Sequence, residues 1–328
     1  MKTSYVLKTA LFASFAFALI ALPFIFSSCE FEKIKSTATV GTLDVVVDEN
    51  VEPFITQEKK EYERLNTEAK INLKTSPTKN AFADLINRNA KFIVVTREIT
   101  PDEQKFIDDN KMEVKKYEIA VDGVGFIINN ANPVLRLTSV DIKNIFTGDV
   151  TKWTDIKSQS EDQNKSAASY FKSGQKIKVY IQRKNSYTYD FVKDSILGGK
   201  DYISSAEICS TSAQMLENVR KDPNSIGISN LSWLSTGEQE KLDSTVKTIR
   251  VSLINSAGRQ FDFIQLHQGL VYNRSYPFRR YVYAYTSEGG ISLSTGFLTF
   301  LLGTDGQKIA LKYGLVPVTQ PVRTIQLN

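Results

Sequence analysis

Histidine and cysteine are nearly absent from this chain of 328 residues, which carries one His and two Cys. A serine or cysteine nucleophile activated by imidazole needs a base of near-neutral pKa, and only His267 could supply it. His267 lies in FDFIQLHQGLVY, between apolar segments, where a lone histidine serves as a structural hydrogen-bonder rather than a base. Clustered zinc ligands cannot be assembled from this set. No metal and no cofactor is expected, and the residues speak against an enzyme. Formal charge is only +5 and evenly scattered, which argues against nucleic acid as a partner. A modest positive field would assist capture of a small anion and proves nothing by itself. No internal repeat is evident.

One long apolar run is present. After Lys2 and Lys8 the chain reads LFASFAFALIALPFIF and ends in Ser27, Ser28 and Cys29. A short cationic head, an apolar core and small residues before a cut predict a secretory signal peptide over residues 1–28. A membrane span is the other reading; the run is long enough to cross marginally, but no stop-transfer flank follows Cys29. Small residues followed directly by cysteine resemble the bacterial lipobox, whose thiol is acylated and becomes the mature N-terminus. That resemblance implies a lipoprotein anchored through Cys29, held in the cell envelope and either periplasm-facing or associated with the outer membrane. Cys209 then has no partner, so the fold must rest on its core rather than on a disulfide. Residues 29–328 form a mature chain of 300 residues, room for two domains, with charge +3 once Lys2 and Lys8 are gone.

Along the mature chain, residues 29–40 are polar and read as a tether. TLDVVVDE, INLKT and the apolar KFIVVT read as strands, the last suited to a buried parallel sheet. Helices are expected over 53–68, with Pro53 in the first turn, over 78–89 and over 101–111. This alternation implies an α/β fold. YEIAVDGVGFIINN reads as two short strands around Asp122-Gly123, and LTSVDIKNIFTGDV as a helix opened by Thr138 or Ser139. Residues 157–176 are polar and aperiodic and read as a surface loop. KIKVYIQ is a strand; NSYTYDFVKDSIL and TSAQMLENVRKDP lead into helices; NSIGISNLSWL returns to strand and turn. Two C-terminal helices break at residues 303–306.

Four segments in order resemble the solute-binding proteins of phosphate ABC importers. They are VDENVEPFI with the later VVTREI, IFTGDVTKWTDI, NSIGISNLSWL and FLTFLLGTDGQKIALKYGLVPV. The resemblance spans nearly all of the mature chain. It implies a bilobed, periplasmic-binding-protein-like fold of two α/β lobes joined by two hinge crossings. Lobe 1 would combine residues 41–117 and 251–328, and lobe 2 would be residues 118–250. Ligand would sit in the cleft, held without a metal by helix N-termini, hydroxyls and an arginine fork.

Carried over by position, the resemblance implies Asn50, Val51, Thr96, Arg97, Arg183, Ser186, Tyr187 and Thr188 as ligand-binding residues. Asn50 is equally readable as a plain helix cap, and Arg97-Glu98 as a surface turn. Ser76 and Thr78, flanking Pro77, read first as caps. Tyr187 replaces the family's glycine, which lets backbone approach the anion closely. Lys184 stands where the family often has an acid that accepts the ligand's proton; Asp48 and Glu49 are candidate substitutes. The resemblance implies a monomeric binding protein that delivers phosphate or a similar small oxyanion to an ABC permease. A divergent binding lipoprotein of the same fold, with another ligand or no transport role, is the alternative.

Overall fold

The computed structural model describes residues 37–156, 161–172 and 174–319. The leader, Cys29 and the tether up to residue 36 lie outside the described residues. The chain opens with β1 (Gly41–Asp48), a single 3-10 turn (Glu49–Val51) and α1 (Glu52–Leu65). Pro53 sits in the first turn of α1, where an absent N–H costs nothing. β2 (Ala69–Ser76), α2 (Thr78–Ile86), β3 (Phe92–Val95) and α3 (Pro101–Asp109) follow. α3 starts in a capping box in which Thr100 and Glu103 satisfy each other's backbone N–H groups. Next come β4 (Lys115–Asn129), β5 (Arg136–Thr138) and α4 (Ser139–Thr147), the last capped by Thr138 and Asp141 in the same way.

The middle of the chain holds α5 (Glu161–Tyr170), β6 (Lys178–Gln182), α6 (Tyr187–Ser195), β7 (Glu207–Cys209) and α7 (Ser212–Lys221). β8 (Ser225–Asn230), α8 (Leu231–Leu234), β9 (Val246–Thr248) and β10 (Arg250–Ser252) continue it. The chain then forms α9 (Gln268–Tyr272), β11 (Arg279–Thr286), α10 (Leu293–Leu302), α11 (Thr304–Lys312) and β12 (Val316–Pro317). His267 is the N-cap of α9, its Nδ1 accepting the Gly269 N–H at 3.1 Å.

The strands run in the order β2-β1-β3-β11-β4-β8-β6-β7, with β9 and β12 also on β4. β1 is parallel to β2 and β3, and β6 is parallel to β7 and β8, while β11 is antiparallel to β3 and β4. Both faces of the first half are covered. Val45, Val47, Phe92 and Val94 pack in one cluster with Phe297 and Leu301, and the intervening Val46, Ile93 and Val95 pack in another with Phe82 and Tyr285. That double burial is why these strands read as continuous apolar runs. The second half has its own core around Phe126, Phe146, Trp153, Val192 and Ile228.

Three expectations are corrected. β4 is one strand of 15 residues, not two short runs, because Gly123 lets it pass within contact of Leu266 and Val271 instead of turning. Within the expected surface loop, residues 161–170 form α5, held by buried Ala167 and by Phe171 stacked on Trp153 at 6.1 Å. The return to the first half also comes later than residue 251. Val251, Leu266, Val271, Tyr276 and Phe278 pack in the second core, and the chain crosses back in β11, where Val282 joins the first. β4 makes the outward crossing, from Ala120 in the first core to Val121 in the second.

Candidate functional site

Asp48 ends β1 fully buried, at the carboxyl edge of the parallel strands, where open α/β sheets gather ligands. One carboxylate oxygen accepts from the Asn50 backbone N–H and side-chain amide at 3.1 and 2.8 Å. The other accepts the hydroxyls of Thr78 and Thr96 at 2.5 and 2.6 Å. These bonds offset the cost of burying the charge and fix the orientation of three polar side chains. Asp48, not Asn50, caps the 3-10 turn. The cap position of α2 is Pro77, with no side-chain cap bond, so Thr78 is free to serve Asp48.

Across from this group stands the N-terminus of α6. Ser186 is its N-cap and accepts the Thr188 N–H at 3.3 Å. The Asn50 amide donates to Ser186 Oγ at 3.3 Å, and Thr188 Oγ1 donates to Asn50 Oδ1 at 2.8 Å. The Tyr187 N–H reaches Thr78 Oγ1 at 3.3 Å. The Tyr187 ring meets Phe191, one turn along the helix, edge-on at 5.9 Å. Its amide therefore stays at the junction although its side chain is bulky. Burial raises its phenol pKa, with the charges of Arg280 and Arg97 opposing.

A second helix N-terminus takes part. Ser212, first in α7, gives its backbone N–H and hydroxyl to the two carboxylate oxygens of Glu49 at 2.6 and 3.0 Å. Trp233 Nε1 donates to the Glu49 carbonyl at 2.8 Å. Burial, with Asp48 adding to it, pushes the Glu49 carboxyl up to about 7 against the pull of Ser212 and Arg183. Beneath lie Asp122 on β4 and Arg280 on β11, an ion pair that is 0% and 2% exposed. Arg280 Nη1 donates to Thr188 Oγ1 at 2.8 Å, and Asn230 donates both to Asp122 and to the Asn50 carbonyl.

Of the residues singled out in the sequence, Asn50, Thr96, Ser186, Tyr187 and Thr188 meet in one buried polar cluster. Val51 contributes its side chain to the first core. Arg183 is half-buried beside it, its charge acting on Glu49. Arg97 is turned to its own half: it forks onto Glu103 with two bonds of 2.7 Å and lies 4.1 Å over the Phe82 ring. Sequence reasoning missed Asp122, Asn230, Arg280 and Ser212. A charged residue inside the apolar run IAVDGVGF was the one available signal.

The family model of the PBP superfamily domain matches residues 35–305. The phosphate-binding protein PstS of Staphylococcus saprophyticus is 24% identical over 252 residues, covering 76% of this chain and 72% of that protein. The protein of the same name from Staphylococcus epidermidis is 23% identical over 261 residues, 78% of this chain and 73% of its own. Among solved structures, a candidate phosphate ABC transporter substrate-binding protein of Clostridium perfringens, with bound phosphate, superposes at TM-score 0.69. It is 22% identical and covers 85% of this chain and 100% of its own. An ABC-type phosphate transport receptor of Vibrio cholerae gives TM-score 0.60 at 17% identity, over 84% of this chain and 100% of that one.

Proposed function

Because the chain belongs to the PBP superfamily, we propose that it is a solute-binding protein, not an enzyme, that captures phosphate or a similar small oxyanion for an ABC-type importer. The observation that carries this is the α6 N-terminus facing Asn50 and Thr78 across the junction of the two cores. Helix-end N–H groups and hydroxyls there can bind an anion with no metal. Asn50, Ser186 and Thr188 now bond to one another, while the Thr78 and Thr96 hydroxyls donate to Asp48, so a ligand oxygen enters by replacing the Asn50–Ser186 and Asn50–Thr188 bonds with its own. The relatives' names and the bound phosphate of the Clostridium perfringens protein support the choice of anion.

In this reading the two halves open and close about β4 and β11, as the pair of crossings permits. Closure brings donors from both halves onto one ligand and excludes water. Acylation of Cys29 would hold the protein at the envelope surface beside its permease, and the protein would act as a monomer.

Calorimetry with inorganic phosphate tests the reading. A single site is expected, with thermal stability rising by about 2.7 kcal/mol at a hundred times Kd. No heat and no thermal shift with phosphate would remove it as the ligand; mass spectrometry of the native protein would then identify what it carries. Fatty-acid labelling should tag the full chain and fail on Cys29→Ala. Equal labelling of both rules out the anchor.

A further inference from the structure

Asp122 and Arg280 are opposite residues of β4 and β11, the two strands that pass from one core to the other. Arg280 Nε and Nη2 donate to the same Asp122 oxygen at 3.2 and 3.0 Å. Asn230 donates to that oxygen as well, at 2.7 Å. The pair is thus a fixed dipole whose positive end faces α6. There Nη1 donates to Thr188 Oγ1, the same hydroxyl that lies 2.8 Å from Asn50 Oδ1. A guanidinium has five N–H donors, and these three bonds leave two unspent.

We propose that Arg280 is a ligand contact: a guanidinium carried on the hinge strand that binds the oxyanion directly and selects its more highly charged form. This rests on the oxyanion-binding reading given above. If Thr188 turns its hydroxyl to an incoming anion, the buried Arg280 Nη1 loses the alignment of its acceptor. A buried charged donor left unpaired is costly, and the nearest oxygen able to replace the acceptor is the anion's own. Asp122 holds the fork in place from behind and keeps the site from carrying a bare positive charge before ligand arrives. Lying on the crossing strands, Arg280 also ties the presence of negative charge to the geometry of the hinge.

The test is calorimetry with inorganic phosphate from mildly acidic to mildly alkaline pH, across the range where phosphate loses its second proton. Removing Arg280 alone would strand Asp122, so the principal variant is Arg280→Gln/Asp122→Asn, which keeps a neutral amide pair. Arg279→Gln, the adjacent guanidinium stacked on Tyr281, is the control. The double variant should bind phosphate about 10- to 100-fold more weakly on the alkaline side, the worth of one charge-assisted bond. The loss should shrink on the acidic side, where the anion is less charged, and the control should match wild type. Equal affinity in wild type and double variant, or a loss independent of pH, overturns the inference and leaves Arg280 a packing residue. Should the double variant fail to fold, Arg280→Lys is read instead; it keeps the charge and loses the fork. A several-fold loss with the pH profile retained supports the contact, and unchanged affinity overturns it. If wild type itself binds no phosphate, the oxyanion reading fails and this inference falls with it, a result distinguishable because the wild-type titration is then silent.

Discussion

Glu49 and Ser212, 163 positions apart, are joined by two hydrogen bonds: the backbone N–H of Ser212 to one carboxylate oxygen at 2.6 Å and its hydroxyl to the other at 3.0 Å. The acid of the first half is thereby seated on the N-terminus of α7 in the second, where the helix dipole favours negative charge. Burial works in the other direction and dominates, raising the Glu49 pKa to about 7. Its neighbours are Asp48, which adds to the rise, and Arg183 and Ser212, which oppose it.

A carboxyl whose folded pKa exceeds its unfolded value lends stability that is fully present below the unfolded pKa. That contribution is lost as pH rises through the folded pKa. For Glu49 the window runs from 4.5 to about 7, and the change is on the order of 3 kcal/mol. Thermal unfolding of wild type against Glu49→Gln should show this slope flattened in the variant. Parallel profiles would mean that Glu49 does not titrate in this range.

Glu58 presents the same sign without compensation. It is fully buried in α1, neither oxygen has a hydrogen-bond partner, and burial, aided by Glu61, holds its pKa well above the usual carboxylate range. Glu58→Met should stabilise the protein by about 1–3 kcal/mol at neutral pH. The gain should shrink toward acid, where wild-type Glu58 is neutral in both states. Chemical denaturation at two pH values measures it, and a destabilised variant at neutral pH contradicts it.

Tyr187→Gly restores the residue that the resemblance implies. Since the Tyr187 amide already faces Thr78 and its ring lies against Phe191, phosphate affinity should change by less than about threefold, while stability falls by about 1 kcal/mol or more from the first turn of α6. Tenfold tighter binding would show that the ring obstructs the anion.

Gly296 in α10 is a close-approach position. A Cβ there would lie 1.8 Å from the Ala38 carbonyl oxygen, which also accepts the Tyr62 hydroxyl. Gly296→Ala should release residues 37–40 from the body, seen as faster proteolysis at the N-terminal segment and a lower Tm. Wild-type cleavage kinetics would show that the segment is not docked there.

Local pattern was enough for much of the fold. The apolar runs TLDVVVDE and KFIVVT, buried on both faces in β1 and β3, and the Thr138 start of α4 are short-range signals that physics reads directly. The family was legible because four motifs keep their order. Where local composition misled, a tertiary contact was responsible: Trp153 with Phe171 supports α5, and Gly123 carries β4 straight past Leu266.

The site divides in the same way. Ser186, Thr188 and Asn50 are positions that the family resemblance implies, and the helix start and strand end that carry them are local features of the chain. Which arginine faces them is not local. Arg97 follows β3 as the motif implies, yet Glu103, six residues on, offers a bidentate partner within its own half and takes its fork. Arg280 carries no motif, but antiparallel pairing of β11 with β4 sets it opposite Asp122, and the approach of the two halves brings Thr188 to its other edge. A side chain's hydrogen-bond partner is decided by whichever acceptor the fold delivers within about 3 Å, and for Arg97 and Arg280 only the tertiary structure makes that delivery.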